Sequence, residues 1–208
     1  MSVFTVLHVC VGNICRSPMA ERLLVHALRS HVGDRVDDLL RSHGAGTGSW
    51  HVGEAMNPPA AAELRRRGLD PSGFAARRLT AELIDESDLV LCATREQVAR
   101  VLSLRPVSGG RTFVLGEFGR LLRSVAAPAA VGGVVAGALA GMPPDPASVH
   151  ARGVALVAAV DAQRAGSPAR PGDDLDDPWG LPQREFTRVA DEIAATVVPL
   201  AAALALRA

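Results

Sequence analysis

The stretch of sequence that decides the fold is Cys10-Val11-Gly12-Asn13-Ile14-Cys15-Arg16-Ser17-Pro18. It follows a short β-branched and apolar run over residues 3–9, which is typical of a buried strand. A helix is predicted directly after it, because Ser17 can cap a helix, Pro18 suits a first turn, and apolar residues recur on one face through Leu28. The sequence therefore predicts a strand, a loop and a helix in succession.

Strand-like and helical segments continue to alternate after this first unit. Further strands are predicted near residues 39–43, 88–92 and 111–115. Between them, a helix that begins at Pro59 stops at Gly68, and Thr94 with Gln97 forms a capping box that opens another helix. This alternation predicts an α/β fold, a single doubly wound domain with a four-stranded parallel sheet and helices on both faces. The loop between the first strand and the first helix then lies where such sheets bind ligands, and its backbone N–H groups suit phosphate.

The composition changes to alanine, glycine and proline over residues 123–172. We interpret this segment as an insertion in one domain that spans residues 1–208, with helical spacing over residues 149–164 inside it. A last helix is predicted from about Arg184, and Pro199 is expected to bend or break it.

Composition and charge exclude several classes of function. The 22 basic residues are all arginine, and the absence of lysine removes Walker-type nucleotide loops and Schiff-base chemistry. With 22 acidic residues the net charge is zero, which argues against partners such as nucleic acid or an anionic membrane surface. Three cysteines do not make a secreted disulfide framework, and the N-terminus does not read as a signal peptide, so we expect a cytoplasmic, reduced protein.

The loop itself carries the residue types of a phosphate cradle with a nucleophile. The helix N-terminus, the loop amides and a nearby arginine favour the thiolate form of Cys10. Arg16 can fold back over the loop, where its planar fork matches two phosphoryl oxygens. Gly12 and Asn13 tolerate left-handed backbone, and Ser17 can donate its hydroxyl to the Cys10 sulfur.

These residues resemble the signature of the low-molecular-weight protein tyrosine phosphatases, a Cys-x5-Arg phosphate loop that begins with the nucleophile. Residues 46–53 resemble the segment of that family that places an aromatic wall beside the substrate ring, and Asp177-Pro178-Trp179-Gly180 resembles its Asp-Pro-aromatic loop. The resemblance implies a nucleophile at Cys10, a general acid at Asp177 and substrate walls at Trp50 and Trp179. It also implies a phosphate-binding loop made of Val11, Gly12, Asn13, Ile14, Cys15, Arg16 and Ser17.

The resemblance implies a mechanism as well. Cys10 attacks phosphorus while the loop amides and Arg16 hold the phosphoryl oxygens. Asp177 protonates the leaving oxygen and then activates the water that hydrolyses the cysteinyl-phosphate. No metal and no other cofactor is expected, and the expected partner is a phosphotyrosine-containing protein.

Two positions depart from the family pattern. The serine and the histidine that commonly hold the loop asparagine correspond to Gly44 and Phe74, which predicts a less rigid loop. This departure leaves open a phosphoprotein-binding module without turnover. Arsenate reductase shares the fold and the loop and is a second alternative, but the further cysteine that it needs corresponds to Ala99 or Thr94.

Cys15 is the second thiol of the loop. Because the amides of the loop must all face one phosphate, the loop has to curl and bring Cys15 back toward Cys10. We therefore expect oxidation to join Cys10 and Cys15 in a reversible disulfide. Cys92 ends a predicted buried strand and is expected to be structural.

Overall fold

A parallel sheet of four strands forms the centre of the computed structural model, which describes residues 3–125, 145–165, 167 and 170–205. The strands are β1 (Phe4–Cys10), β2 (Leu40–Gly46), β3 (Leu89–Cys92) and β4 (Thr112–Val114). Their order is β2-β1-β3-β4, and each neighbouring pair is parallel. The predicted α/β fold with a four-stranded parallel sheet is confirmed.

Helices cover both faces of this sheet. They are α1 (Arg16–Val32), α2 (Val36–Leu39), α3 (Pro58–Arg66), α4 (Ala81–Asp85), α5 (Arg95–Leu104), α6 (Leu115–Val125), α7 (Pro146–Arg164) and α8 (Gln183–Ala205). Successive side chains of β1 point to opposite faces. Val6 belongs to the larger core with α1, α3, α6, α7 and α8, whereas Leu7 belongs to the smaller core with α4 and α5.

The predicted cap of the first helix is wrong. α1 begins at Arg16, and the N-cap position is Cys15, whose side chain makes no capping hydrogen bond. Ser17 lies inside the first turn and places its hydroxyl against the sulfur of Cys10. The polar side chains at the start of α1 therefore serve the loop and not the helix end.

α8 continues through Pro199, so of the two outcomes expected of this proline the break is wrong, and the bend stays a prediction. A proline inside a helix removes one backbone hydrogen bond and crowds the preceding turn. Burial of the helix face offsets this cost, because Ile193, Val197 and Leu200 are fully buried where α8 packs against α1 and α6. Among the described helices, α8 included, none has the length and apolar character that crossing a membrane requires.

The proposed insertion at 123–172 is described in part, because residues 126–144, 166, 168 and 169 lie outside the described residues. Its helix α7 packs on the sheet. Gly153 lies against the ring of Phe4 with no room for a Cβ atom, and the guanidinium carbon of Arg164 stands 3.9 Å from the ring centre of Phe113. α7 is therefore part of the core, while the interpretation of the whole segment as an insertion stays a prediction.

Candidate active site

Cys10 is the last residue of β1, so its side chain stands at the carboxyl edge of the sheet. Its Sγ accepts a hydrogen bond from the backbone N–H of Asn13 at 3.3 Å and lies 3.0 Å from Oγ of Ser17. Ser17 Oγ accepts a hydrogen bond from Nδ2 of Asn13 at 2.8 Å, which leaves its own proton for the sulfur. Two donors thus face Sγ, and charge-assisted hydrogen bonds of this kind stabilise a thiolate.

Asn13 is the residue around which the loop closes. Its φ of 55° lies in the left-handed region, which asparagine tolerates better than most residues. Besides the bond from Nδ2 to Ser17, its Oδ1 accepts a hydrogen bond from the backbone N–H of Arg77 at 2.8 Å. The loop asparagine is therefore held at both ends of its amide without the serine and histidine of the family pattern.

β2 lies so close beneath the loop that two of its positions have no room for a side chain. A Cβ atom at Gly46 would stand 2.7 Å from the carbonyl oxygen of Val11, and one at Gly44 would stand 2.7 Å from Nδ2 of Asn13. The two residues after Gly46 donate backbone hydrogen bonds of 3.0 and 2.9 Å to loop carbonyls. The Gly-Ala-Gly sequence of β2 was the available signal for this contact, and sequence reasoning missed it.

Arg16 connects the loop to the far end of the chain. Its side chain is 5% exposed, and its Nη1 donates to the carbonyl of Leu175 at 3.1 Å. Its Nη2 donates to Oδ2 of Asp177 at 2.5 Å. The carbonyl of Leu175 was not predicted, because a backbone acceptor leaves no signature in the sequence.

A cavity of about 250 Å³ opens above the loop. It is lined by Cys10, Val11, Gly12, Ile14, Cys15, Arg16, Trp50, His51, Asp177 and Trp179. The structure therefore brings together the predicted nucleophile, arginine, acid and both tryptophans, while Asn13 and Ser17 contact the sulfur from beneath. In the part of the chain that the structure describes, no group of three or more His, Cys, Asp or Glu side chains is placed to hold a metal ion.

His51 also lines this cavity, although sequence reasoning gave it no role in the site. Its Cδ2 would stand 2.9 Å from a Cβ atom at Gly12, so the imidazole lies directly on the loop. Its Nδ1 lies 2.7 Å from Oε2 of Glu54, which fixes the orientation of the ring. His51 and Trp50 together form one side of the cavity.

The other two thiols differ from Cys10 in their surroundings. Burial raises the pKa of Cys15 to about 12, and the neighbouring Cys10 and Asp177 act in the same direction. Burial also raises the pKa of Cys92, at the end of β3. Both side chains are therefore neutral thiols near pH 7.

A family model described as low molecular weight phosphotyrosine protein phosphatase matches residues 5–128. A low molecular weight protein-tyrosine-phosphatase of Acinetobacter johnsonii is 36% identical over 118 residues, which are 57% of this chain and 76% of that protein. Low molecular weight protein-tyrosine phosphatase A of Mycobacterium bovis is 41% identical over 113 residues, which are 54% of this chain and 66% of that protein. The family match ends before Asp177, so the prediction that Asp177 is the acid rests on the resemblance of residues 177–180 and on its place in the cavity.

Solved structures show the same fold across almost the whole chain. A protein tyrosine phosphatase of Entamoeba histolytica gives a TM-score of 0.64 at 17% identity and covers 95% of this chain and 94% of its own. Wzb of Vibrio vulnificus, in complex with benzylphosphonate, gives a TM-score of 0.62 at 18% identity and covers 96% of this chain and 97% of its own. The YwlE arginine phosphatase of Geobacillus stearothermophilus gives a TM-score of 0.60 at 21% identity and covers 95% of this chain and 90% of its own.

Proposed function

This chain belongs to the low molecular weight phosphotyrosine protein phosphatase family and is a cysteine-dependent phosphatase, and on that premise we propose that it hydrolyses phosphotyrosine in proteins through a phosphate ester of Cys10. One observation carries the proposal. Cys10, Arg16 and Asp177 line a single cavity whose sides include two tryptophans.

The first chemical step transfers the phosphoryl group to sulfur. Sγ of Cys10 attacks phosphorus opposite the leaving oxygen, so the S–P bond forms as the P–O bond breaks. The loop amides and Arg16 hold the phosphoryl oxygens and stabilise the charge of the transition state. Asp177 gives its proton to the leaving phenoxide, which departs as the neutral phenol of tyrosine.

Arg16 changes its partner in this step. Nη2 of Arg16 holds the carboxylate of Asp177, and a phosphoryl group is a second anion for the same guanidinium, so we expect a bound phosphoryl group to displace the carboxylate. Substrate binding therefore releases Asp177 from Arg16.

The second step releases phosphate. Asp177, now a carboxylate, takes a proton from a water molecule that attacks phosphorus, and the S–P bond breaks to return the thiolate of Cys10. The hydroxyl of Ser17 and the N–H of Asn13 stabilise that thiolate as it leaves. Both steps use groups of this chain alone.

The mouth of the cavity suits an aromatic ester on a polypeptide. Trp50 and Trp179 line the cavity and are 65% and 63% exposed, and Val52 and Leu181, 56% and 47% exposed, follow them on the same two turns. Clustered exposed apolar side chains mark interaction sites, and indole faces pack well on a phenyl ring. The exposed apolar side chains therefore favour phosphotyrosine in a protein over a small, freely soluble phosphate ester.

The arrangement of thiols supports hydrolysis over arsenate reduction. Reduction passes a disulfide outward through an accessible relay cysteine. Cys92 is fully buried, and Thr94 and Ala99 stand where such relays carry a cysteine.

The test compares turnover of p-nitrophenyl phosphate, a phosphotyrosyl peptide and a phosphoarginyl peptide by wild type and Cys10→Ser. We expect metal-independent hydrolysis of the first two substrates and its loss in Cys10→Ser, since a serine hydroxyl is a far weaker nucleophile. Substantial turnover by Cys10→Ser contradicts the mechanism. Preference for phosphoarginine contradicts the substrate assignment and leaves the cysteine chemistry intact.

A further inference from the structure

The acid loop, defined here as residues 173–177, carries four aspartates, and each is paired with a different arginine. Asp173 pairs with Arg120 of α6, Asp174 with Arg95 of α5, Asp176 with Arg188 of α8, and Asp177 with Arg16. Four carboxylates so close in sequence repel one another in an unanchored loop. Pairing with arginine offsets that repulsion along the chain that leads to Asp177.

The pair between Asp173 and Arg120 is the most buried of the four pairs. Arg120 donates from Nε and Nη2 to the two carboxylate oxygens at 3.1 and 2.8 Å, and the backbone N–H of Arg170 adds a bond of 2.7 Å. The two side chains are 6% and 16% exposed, so water screens this pair little.

The pair between Asp176 and Arg188 offers the opposite case. Its side chains are 72% and 42% exposed, and pairs of that kind contribute little. Arg188 also bonds to two glutamates of its own helix, so it is not dedicated to the loop.

α6 meets the same end of the loop through its backbone. A Cβ atom at Gly116 would stand 2.5 Å from the carbonyl oxygen of Asp173, so the first turn of α6 rests directly on the loop. Two residues further along, the N–H of Leu175 donates to the carbonyl of Ala93 at 2.8 Å. α6 therefore holds Asp173 through its side chain and its backbone, four residues before Asp177.

We propose that α6 positions the general acid, with Arg120 and Gly116 as positioning residues that set where the carboxyl of Asp177 stands relative to Cys10. Neither residue lines the cavity that holds Cys10, so neither touches the reacting atoms. The inference rests on the proposed function, in which Asp177 protonates the leaving oxygen. Misplacing a catalytic group by about 1 Å can cost about a hundredfold in rate.

The experiment measures kcat/KM for phenyl phosphate and for 2,4-dinitrophenyl phosphate. Phenoxide is a poor leaving group that needs the acid, whereas dinitrophenoxide departs without it. kcat/KM covers only the steps up to departure of that group, so the later role of Asp177 as a base does not enter. The concentration of folded enzyme cancels in the ratio of the two values. A variant that folds poorly therefore still shows whether the acid is in place.

Arg120→Gln and Gly116→Ala are expected to lower kcat/KM for phenyl phosphate by about tenfold or more and that for 2,4-dinitrophenyl phosphate by less than about threefold. Gly109→Ala is the control for the change of glycine to alanine, because the nearest atom to its Cβ lies 3.9 Å away, in Leu102, and Gly109 lies outside α6. Arg188→Gln is the control for loss of an exposed pair. Both controls should leave the ratio within about twofold of wild type.

Equal losses for the two substrates in Arg120→Gln and Gly116→Ala, or an equal change of the ratio in the controls, would overturn the inference. Asp177→Asn separates this failure from failure of the proposed function. If Asp177→Asn leaves the ratio unchanged, Asp177 is not the acid, and the inference is lost with that assignment. If Asp177→Asn changes the ratio and the α6 variants do not, the acid stands and the positioning role is wrong.

Discussion

Nη2 of Arg16 lies 2.5 Å from Oδ2 of Asp177, and 161 positions separate the two residues in the sequence. The arginine is buried and the carboxylate is 48% exposed, so the aspartate is the partner that can leave. The group assigned to bind phosphate and the group assigned to donate a proton therefore hold each other. Any anion that binds Arg16 also changes the surroundings of Asp177.

Asp177→Asn is expected to tighten competitive inhibition by inorganic phosphate about three- to tenfold, equivalent to about 1 kcal/mol. A neutral amide competes less for Arg16 and does not repel the phosphate anion. Asp176→Asn is the control, because Asp176 pairs with Arg188 and leaves Arg16 untouched. Weaker or unchanged inhibition in Asp177→Asn contradicts the exchange of partners at Arg16.

Asp177→Asn is also expected to lower kcat/KM for phenyl phosphate about a hundredfold or more, the range of general acid catalysis. Trp179 donates its backbone N–H to Oδ1 of Asp177 at 3.2 Å, which orients the carboxyl toward the cavity. Asp176→Asn should retain most of the activity. If Asp176→Asn causes the larger loss, the acid is the preceding residue of the loop.

Gly46→Ala is expected to lower kcat by about tenfold or more, because misplaced catalytic groups lose rate steeply. Its Cβ would lie 2.7 Å from the carbonyl oxygen of Val11 and 3.1 Å from the backbone nitrogen of Asn13, and backbone cannot move aside as a flexible side chain can. Gly109→Ala is the control, since its nearest neighbouring atom lies at 3.9 Å. Wild-type turnover in Gly46→Ala would show that the loop does not depend on this contact.

Local signals explain which parts of this structure the sequence predicted. β1, the loop and α1 follow from an apolar run, a turn and helical spacing within the first 28 residues. α6 was missed because it starts directly after β4 with no linker and contains Gly116 and Gly119, which lower helix propensity. Ser17 was assigned both a cap of α1 and a bond to the Cys10 sulfur, and the structure shows the contact with the sulfur and not the cap.

In the candidate site, too, the sequence predicted the local motifs and missed the long-range contacts. Cys10 and Arg16 are six residues apart and form a recognisable motif, while Pro178 and Trp179 distinguish Asp177 from the other aspartates of its run. The contacts that connect these parts are long-range and side-chain specific, such as those of Arg120 with Asp173. Spacing along one sequence carries no information about them.

Two buried histidines should make folding sensitive to acid. Burial lowers the pKa of His8 to about 3, with His43 acting in the same direction, and burial with Arg77 and Arg41 lowers the pKa of His43 to about 4. In the unfolded chain a histidine has a pKa of about 6.5. As the pH falls below that value, the unfolded state binds protons that the folded state does not bind. The free energy of unfolding therefore decreases.

His8→Gln is therefore expected to flatten the fall in the free energy of unfolding between pH 6.5 and pH 4, by up to about 1.4 kcal/mol per pH unit. Urea unfolding of wild type and variant at a series of pH values measures this slope. His26→Gln is the control, because His26 is exposed on α1. An unchanged slope in His8→Gln contradicts the assignment of the acid sensitivity to this histidine.

Cys10 and Cys15 are both free thiols that line one cavity, which is the arrangement that a reversible oxidative switch needs. We expect peroxide to convert Cys10 to a sulfenic acid, with which the thiol of Cys15 condenses to form a disulfide and release water. The raised pKa of Cys15 keeps it a thiol, the form that reacts slowly with peroxide. Capture by Cys15 is expected to prevent further, irreversible oxidation.

We expect wild type to lose activity in peroxide and to regain it with a dithiol, whereas Cys15→Ala loses activity and does not recover. Mass spectrometry should find an intramolecular disulfide between Cys10 and Cys15 in the oxidised wild type, and inorganic phosphate should protect both proteins because it covers the Cys10 sulfur. Cys92→Ala is the matched control: it removes a cysteine that is buried at the end of β3 and does not line the cavity, so its recovery should equal that of wild type. Equal recovery of wild type and Cys15→Ala, with no disulfide found by mass, would show that Cys15 packs the loop and does not protect the nucleophile.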